Sequence, residues 1–326
     1  MNIAITTRRA ALALLAFAAA LPLSAIAQQY PAKPIRIVVG YSAGGAVDIV
    51  ARTLGQSLSA AMGQPVLVDN KPGAGTNIAV KAVIDAPPDG YTLLMAANAL
   101  AANMALYKPA PFDAEHDLAP IALIGRVPVV IAANPGAPYS SVAQLIAAAK
   151  AKPGALAFAS PGNGSTPHLA AELFARSAGV TLQHIPYRGG AQAITDVVGG
   201  QVPLLAMNAL EVKPHVQSGK LKVLAVLSPQ RSAIFPDVPT IAESGFPGFE
   251  ASVWYALMAP AGTPKAVVAR LHDEVQKALK TSDVAARMTA VGGEVTPGSI
   301  EMAAALIHSE RQRYDKLVRE AHIKPD

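Results

Sequence analysis

The 326-residue chain contains no cysteine. That absence excludes disulfides, thiolate metal sites, a cysteine nucleophile and a lipid-anchored N-terminal cysteine, so the fold must be held by its core. Basic residues neither run together nor interleave with aromatics, and no nucleic-acid partner is expected. No Gly-x-Gly-x-x-Gly follows a strand pattern and no P-loop lysine is present, which leaves nucleotide binding without support. The histidines are scattered without ligand spacing, so no metal is expected, nor any other cofactor. After residue 23 no apolar run is long enough to cross a membrane.

What is present begins with Arg8 and Arg9, an apolar run from Ala10 to Leu23 and the end Ala25-Ile26-Ala27. This is a signal-peptide pattern over residues 1–27, with cleavage expected after Ala27 and a soluble, periplasmic product. The arginine pair suits an ordinary Sec leader and also a twin-arginine route. Removing residues 1–27 takes away two arginines and no acid, lowering the formal charge from +5 to a mild +3. The rest is long enough for two domains, and 52% hydrophobic residues suit a large α/β core.

A strand-loop-helix pattern occurs twice. "IRIVV" reads as a buried parallel strand, "GYSAGGAVD" as a loop of small residues, and Val50, Leu54, Leu58 and Met62 as the apolar stripe of a helix behind Asp48. "PVLVD", the turn "NKPGAG", a helix from Thr76 to Asp85 and the strand "YTLLMA" complete a unit that demands a parallel sheet. About 115 residues later "ALAFAS", "PGNGSTP", "HLAAELFARSAG", "LQHIPY", "RGG", "AITDVVGG" and "VPLLAMN" repeat the order. Glycines after strands can be packing punctuation alone. Two such sets in the same order instead point to two similar lobes whose bare loops face one cleft, where backbone N–H groups and helix N-termini suit an anion.

The connecting segments set the boundaries. "LAPIALIGRVPVVIAANPG" leaves the first lobe and "FEASVWYALMAP" returns, after which the chain is helical. Lobe 1 is therefore expected to span 28–127 plus 252–326, and lobe 2 to span 128–251, with two strands as the hinge. The helices beyond Pro264 are expected on the first lobe.

The strings "YPAKPIRIVVGYSAGGAVD", "VDNKPGAGTN", "PDGYTLL", "KAKPGALAFASPGNGSTPHLAAELF", "HIPYRGGAQAITDVVGGQV", "GKLKVLAVLSPQRSAIFPDVPTIAESGFPGF" and "WYALMAPAGTPKAVVARL" resemble, in order, the Bug or TctC-like receptors of tripartite tricarboxylate transporters. The resemblance implies a two-lobed α/β periplasmic-binding-protein (Venus flytrap) fold with a mostly parallel sheet in each lobe. It implies a monomer, not an enzyme, that captures a small carboxylate between the lobes and hands it to membrane permease subunits. It also implies that main-chain amides and water hold the carboxylate at Tyr41, Ser42, Ala43, Gly44, Gly45 and Asp48 on one side. On the other side it assigns Gly162, Gly164, Ser165 and His168, with Tyr187 and Arg188 at the mouth. Two departures, Gly40-Tyr41 for the usual Pro-Phe and Thr76-Asn77 after "GAG", are expected to add hydrogen-bonding groups near the cleft.

Each residue has a plainer role beside the functional one. Asp48 can simply cap its helix, which stabilises by about 1 kcal/mol. Arg188 is either a cleft cation or a solvated surface charge. Asn98, Asn103 and Asn208 follow strands at the carboxyl edge and either reach ligand or serve as caps. Trp254 suits the core. Ser165 and His168, one turn apart, raise a hydrolase reading, but no Gly-x-Ser-x-Gly elbow is expected and nothing fixes an acidic partner for His168. A ligand-sensing adaptor for a membrane sensor kinase would use the same cleft as a transport receptor.

Overall fold

The buried run Ile35–Val39 forms strand β1, flanked in parallel by β2 (Val66–Asn70) and β3 (Thr92–Ala96). The computed structural model describes residues 30–187, 189–290, 293–321 and 323; residues 1–29, on which the signal-peptide expectation falls, and Arg188 lie outside them. Lys33–Asp326 forms one compact unit, and of the segment before it only Tyr30–Ala32 is described. The helix Ala46–Met62 connects β1 to β2, burying Val50, Leu54, Leu58 and Met62 as one stripe and ending on left-handed Gly63. Asn77–Ile84 connects β2 to β3.

Strand β4 (Leu118–Ala133) is 16 residues long and absorbs Pro120 and Gly125 through breaks in register. The second unit repeats the first: β5 (Ala157–Ser160) lies between parallel neighbours β6 (Gln183–Pro186) and β7 (Leu204–Asn208). Its connecting helices are Thr166–Ser177 and Gly190–Val198. Strands β8 (Lys222–Val226), β9 (Ser252–Pro260) and β10 (Glu294–Gly298) all pair antiparallel with β4. The order across the sheet is β2-β1-β3-β9-β4-β7-β5-β6. The partners of β4 change between Pro128, opposite Ser252, and Val129, opposite Asn208.

The helices Lys265–Leu279 and Ile300–Ala321 return to the first unit, the former beside Ala46–Met62 and the latter beside Ala99–Leu106. A core cluster joins Val38, Leu100, Leu106, Trp254 and Ile307, and Leu169 of the helix Thr166–Ser177 is buried in it. One leucine buried this way stabilises by about 1.5–3 kcal/mol, so the second unit is anchored on the first. Both bare loops thus sit at the carboxyl ends of the central parallel strands, β1 and β5, each feeding a helix.

Candidate functional site

The first loop runs from Gly40 to Gly45, with Ser42, Ala43 and Gly44 exposed. Gly44 has a φ of +84°, and Gly45 is the helix N-cap with no side chain to bond. The helix begins at Ala46, so Asp48 lies in its first turn rather than at the cap. Its buried carboxylate reaches back: Oδ2 accepts from the Gly44 amide and Arg52 Nε, both at 2.9 Å, and Oδ1 accepts from Asn70 Nδ2 at 2.9 Å. Asn70 also donates to the Tyr41 carbonyl at 3.0 Å. Asp48 therefore fixes the loop and has its acceptors occupied. The amides of the helix's first turn have no carbonyl four residues back and remain for a ligand.

Burial alone would raise the Asp48 carboxyl; the hydrogen bonds from Arg52, Gly44 and Asn70, with the Arg52 charge, outweigh it and hold the group below its ordinary value. A depressed folded value contributes stability that is present above the unfolded value, about 3.9, and is lost as pH falls through the folded one. Asp48→Asn is thus expected to be less stable than wild type by a constant margin above about pH 5. That margin should shrink below about pH 4 in urea titrations; a margin independent of pH would remove the charge from this account.

The second loop copies the device. Gly162 and Gly164 have φ of +145° and +70°, and Ser165 caps the helix Thr166–Ser177. The Gly164 amide donates to His168 Nδ1 at 3.0 Å, four residues on, as Gly44 donates to Asp48. Burial, with His184 beside it, pushes His168 down to about 3, so it stays a neutral acceptor. The His168 and His184 rings stack at 3.7 Å, and His184 Nε2 meets Ser160 Oγ at 2.7 Å. Ser160 accepts from the Gly162 amide at 3.2 Å. Ser160, the last residue of β5, and His184, opposite Phe158 on the neighbouring β6, are supports that the sequence reading missed.

Ser165 Oγ donates to the Gly162 carbonyl at 2.7 Å and accepts from the His168 amide at 3.4 Å. The His168 ring therefore does not activate Ser165. Gly40-Tyr41-Ser42-Ala43-Gly44 does carry elbow spacing, which the sequence reading passed over. Among the described residues no histidine bonds Ser42, and Asp48 is occupied as above.

The remaining candidates divide. Asn98 is fully buried and spent on the fold: Nδ2 reaches the Ser252 carbonyl and Tyr314 hydroxyl at 3.0 Å and Glu310 Oε2 at 3.3 Å, while Oδ1 accepts from the Trp254 amide at 2.9 Å. Both the nitrogen and the oxygen of its amide are thus engaged within the fold. Thr76 is buried at φ +83°, and a Cβ at Gly40 would lie 2.7 Å from its Cβ. Gly40 and Thr76 are thus matched by packing, one leaving the space that the other fills. Asn77 Oδ1 accepts from Asn103 Nδ2 at 2.6 Å, and Asn103 also holds the Gly75 carbonyl. Tyr187 donates to Asp196 within its own lobe at 2.7 Å; burial first, then Asp196, pushes its phenol up to about 12. Arg188 lies outside the described residues. Asn208 ends β7, its Nδ2 on Glu211 Oε1 at 2.8 Å.

The second loop packs against the helix Ala99–Leu106. A Cβ on Gly164 would lie 2.9 Å from Leu106 Cδ1 of the first unit. A separate cavity of about 180 Å³, lined by Arg126, Glu250, Ser252, Trp254 and Glu310, lies behind β9. Its walls are braced by the pairs Arg126–Glu250 and Arg313–Glu310, and it contains none of the candidate residues. Trp254 is core, 2% exposed. Among the described residues no group of three acidic or histidine side chains could hold a metal ion, and no helix is long and apolar enough to cross a membrane.

Comparison with known proteins gives a consistent result. A family model described as the tripartite tricarboxylate transporter family receptor matches residues 50–323. The chain is 39% identical over 300 residues to the protein BugT of Bordetella pertussis, covering 91% of this chain and 92% of that one. Among solved structures, an R. palustris protein with adipate is 33% identical with a TM-score of 0.84, covering 91% of this chain and all of that one. The periplasmic binding protein BugD is 34% identical with a TM-score of 0.82, covering 90% and 99%.

Proposed function

The chain belongs to the tripartite tricarboxylate transporter receptor family, a family of solute-binding receptors rather than enzymes, and on that premise we propose that it is exported after cleavage at Ala27, captures a small carboxylate in the periplasm and delivers it to a tripartite permease. The fold is the two-lobed α/β fold of its structural neighbours. The observation that carries the reading is the paired device: two glycine-containing loops, each following a central parallel strand and opening a helix, each pinned by a residue of that helix's first turn. The lobes in this reading are 28–127 plus 252–326 and 128–251, with the hinge where β4 changes partners. The carboxylate lies against the backbone of Ser42–Gly45 and of Gly162–Ser165. Each helix N-terminus contributes typically about 0.3–1 kcal/mol to holding an anion, and up to about 2 when partly buried. The adipate of the R. palustris relative agrees in chemistry.

The test uses protein recovered from the periplasm, whose N-terminus should read Gln28, in a thermal-shift panel of small carboxylates. A ligand at a hundredfold its Kd stabilises by about 2.7 kcal/mol, which is readily seen. A panel in which no carboxylate raises the melting temperature, while sugars or amines without a carboxylate do, would sink the reading.

A further inference from the structure

Strand β9 presents Tyr255, whose side chain is fully buried and whose hydroxyl has no hydrogen-bond partner among the described residues. A buried hydroxyl left unpaired is destabilising and calls for a reason. Burial pushes its phenol well above the ordinary tyrosine value, and the Glu211 carboxylate and Tyr41 phenol push it further. Tyr255 therefore lies within electrostatic reach of Tyr41, from the first loop, and of Glu211, from the second unit.

Glu211 brings a second unmet group with it. Because its Oε1 accepts from Asn208 Nδ2, the orientation of the Asn208 amide is fixed, and Asn208 Oδ1 is left buried with no donor among the described residues. The other oxygen, Oε2, fills the space that a Cβ on Gly190 would need, at the start of the helix Gly190–Val198. The carboxylate of the protein itself thus occupies a helix start where a second ligand carboxylate could otherwise rest.

We propose that Asn208 Oδ1, the Glu211 carboxylate and the Tyr255 hydroxyl form an acceptor-rich subsite for the far end of the ligand, and that this end is an ammonium or primary amide rather than a second carboxylate. The inference rests on the carboxylate-receptor reading. Burial pushes the Glu211 carboxyl up, with the bond from Asn208 opposing it, so an isolated charge there is disfavoured and a neighbouring ammonium would restore the ionised form. That ionised carboxylate and the Asn208 amide oxygen accept only; an ammonium offers three donors and no acceptor, and a primary amide offers two donors beside its carbonyl. A tyrosine hydroxyl completes either arrangement. A second ligand carboxylate would set like charges together away from water, which disfavours both ionised forms.

Two series of probes separate the cases: glutarate, glutaramate and 4-aminobutyrate, and the shorter succinate, succinamate and β-alanine. Within a series the spacer and first carboxylate are shared and only the far end differs. Isothermal titration of the mature protein is expected to show an amine or amide binding at least tenfold tighter than its diacid. Glu211→Gln, which keeps the shape, should narrow that ratio at least tenfold. Tyr255→Phe should melt no lower than wild type without ligand and yet bind the preferred probe more weakly. Diacid preference in wild type, an unchanged ranking in Glu211→Gln, or unaltered binding by Tyr255→Phe would each overturn the subsite while leaving the receptor reading intact. Binding of none of the six probes overturns it too, and the wider carboxylate panel then decides separately whether the receptor reading stands.

Discussion

Gly44→Val will leave the protein folded and reduce carboxylate affinity at least about a hundredfold, the equivalent of some 2.7 kcal/mol. The residue sits at φ +84°, where a side chain strains the backbone, and a Cβ there would meet no atom within 4 Å. The strain amounts to about 1–2 kcal/mol, which a domain of ordinary stability survives. The damage falls on the loop, because relieving the strain would turn the residue-44 amide away from Asp48, and the new side chain stands where the ligand must approach. Gly63→Val supplies the control: its φ is +67°, its Cβ also has open space, and it ends the same helix. A 17-residue helix puts it about 25 Å away. Calorimetry and circular dichroism on both variants decide. Equal affinity loss at Gly63 would mean that strain alone is responsible; intact binding at Gly44 would remove the loop from the site.

Asn98→Ala is expected to destabilise by roughly 3–5 kcal/mol, the largest stability effect of any polar residue discussed above. The change strands the Trp254 amide and the Ser252 carbonyl, and takes a partner from Tyr314. Each unsatisfied buried group costs about 1–3 kcal/mol. The magnitude separates the two roles that the sequence left open, since loss of a ligand-facing amide would weaken binding and leave urea unfolding almost unchanged. A variant that unfolds at the wild-type urea concentration but binds poorly would return Asn98 to the cleft.

The contrast between Gly44 and Asn98 marks how far the sequence could be read. Bare loops after apolar strands are local patterns, and both sets, together with the parallel order around β1 and β5, were legible from periodicity. Asn98 was not, because its partners Glu310 and Tyr314 stand more than 200 residues away. The helix Ala99–Leu106 escaped for another reason: all eight residues are buried, so it has no polar face to give a period. Strand β10, "EVTPG", contains proline and glycine and little that is apolar, and only its pairing with β4 makes it a strand. The roles of Asp48 and His168 turned on two residues of helix boundary. A cap and a first-turn side chain that folds back look alike in a sequence, yet only the latter uses up the loop glycine's amide.

The route of β9 has a consequence for how the molecule is made. β9 separates β3 from β4 in the sheet, but 118 intervening residues of chain separate β4 from β9, and they include all of β5 to β8. During synthesis the sheet around β1 must wait, with the edge of β3 open, until the second lobe has emerged from the ribosome. The lobe that begins first is therefore completed last, and its apolar strand edge is the part of the nascent chain in need of protection.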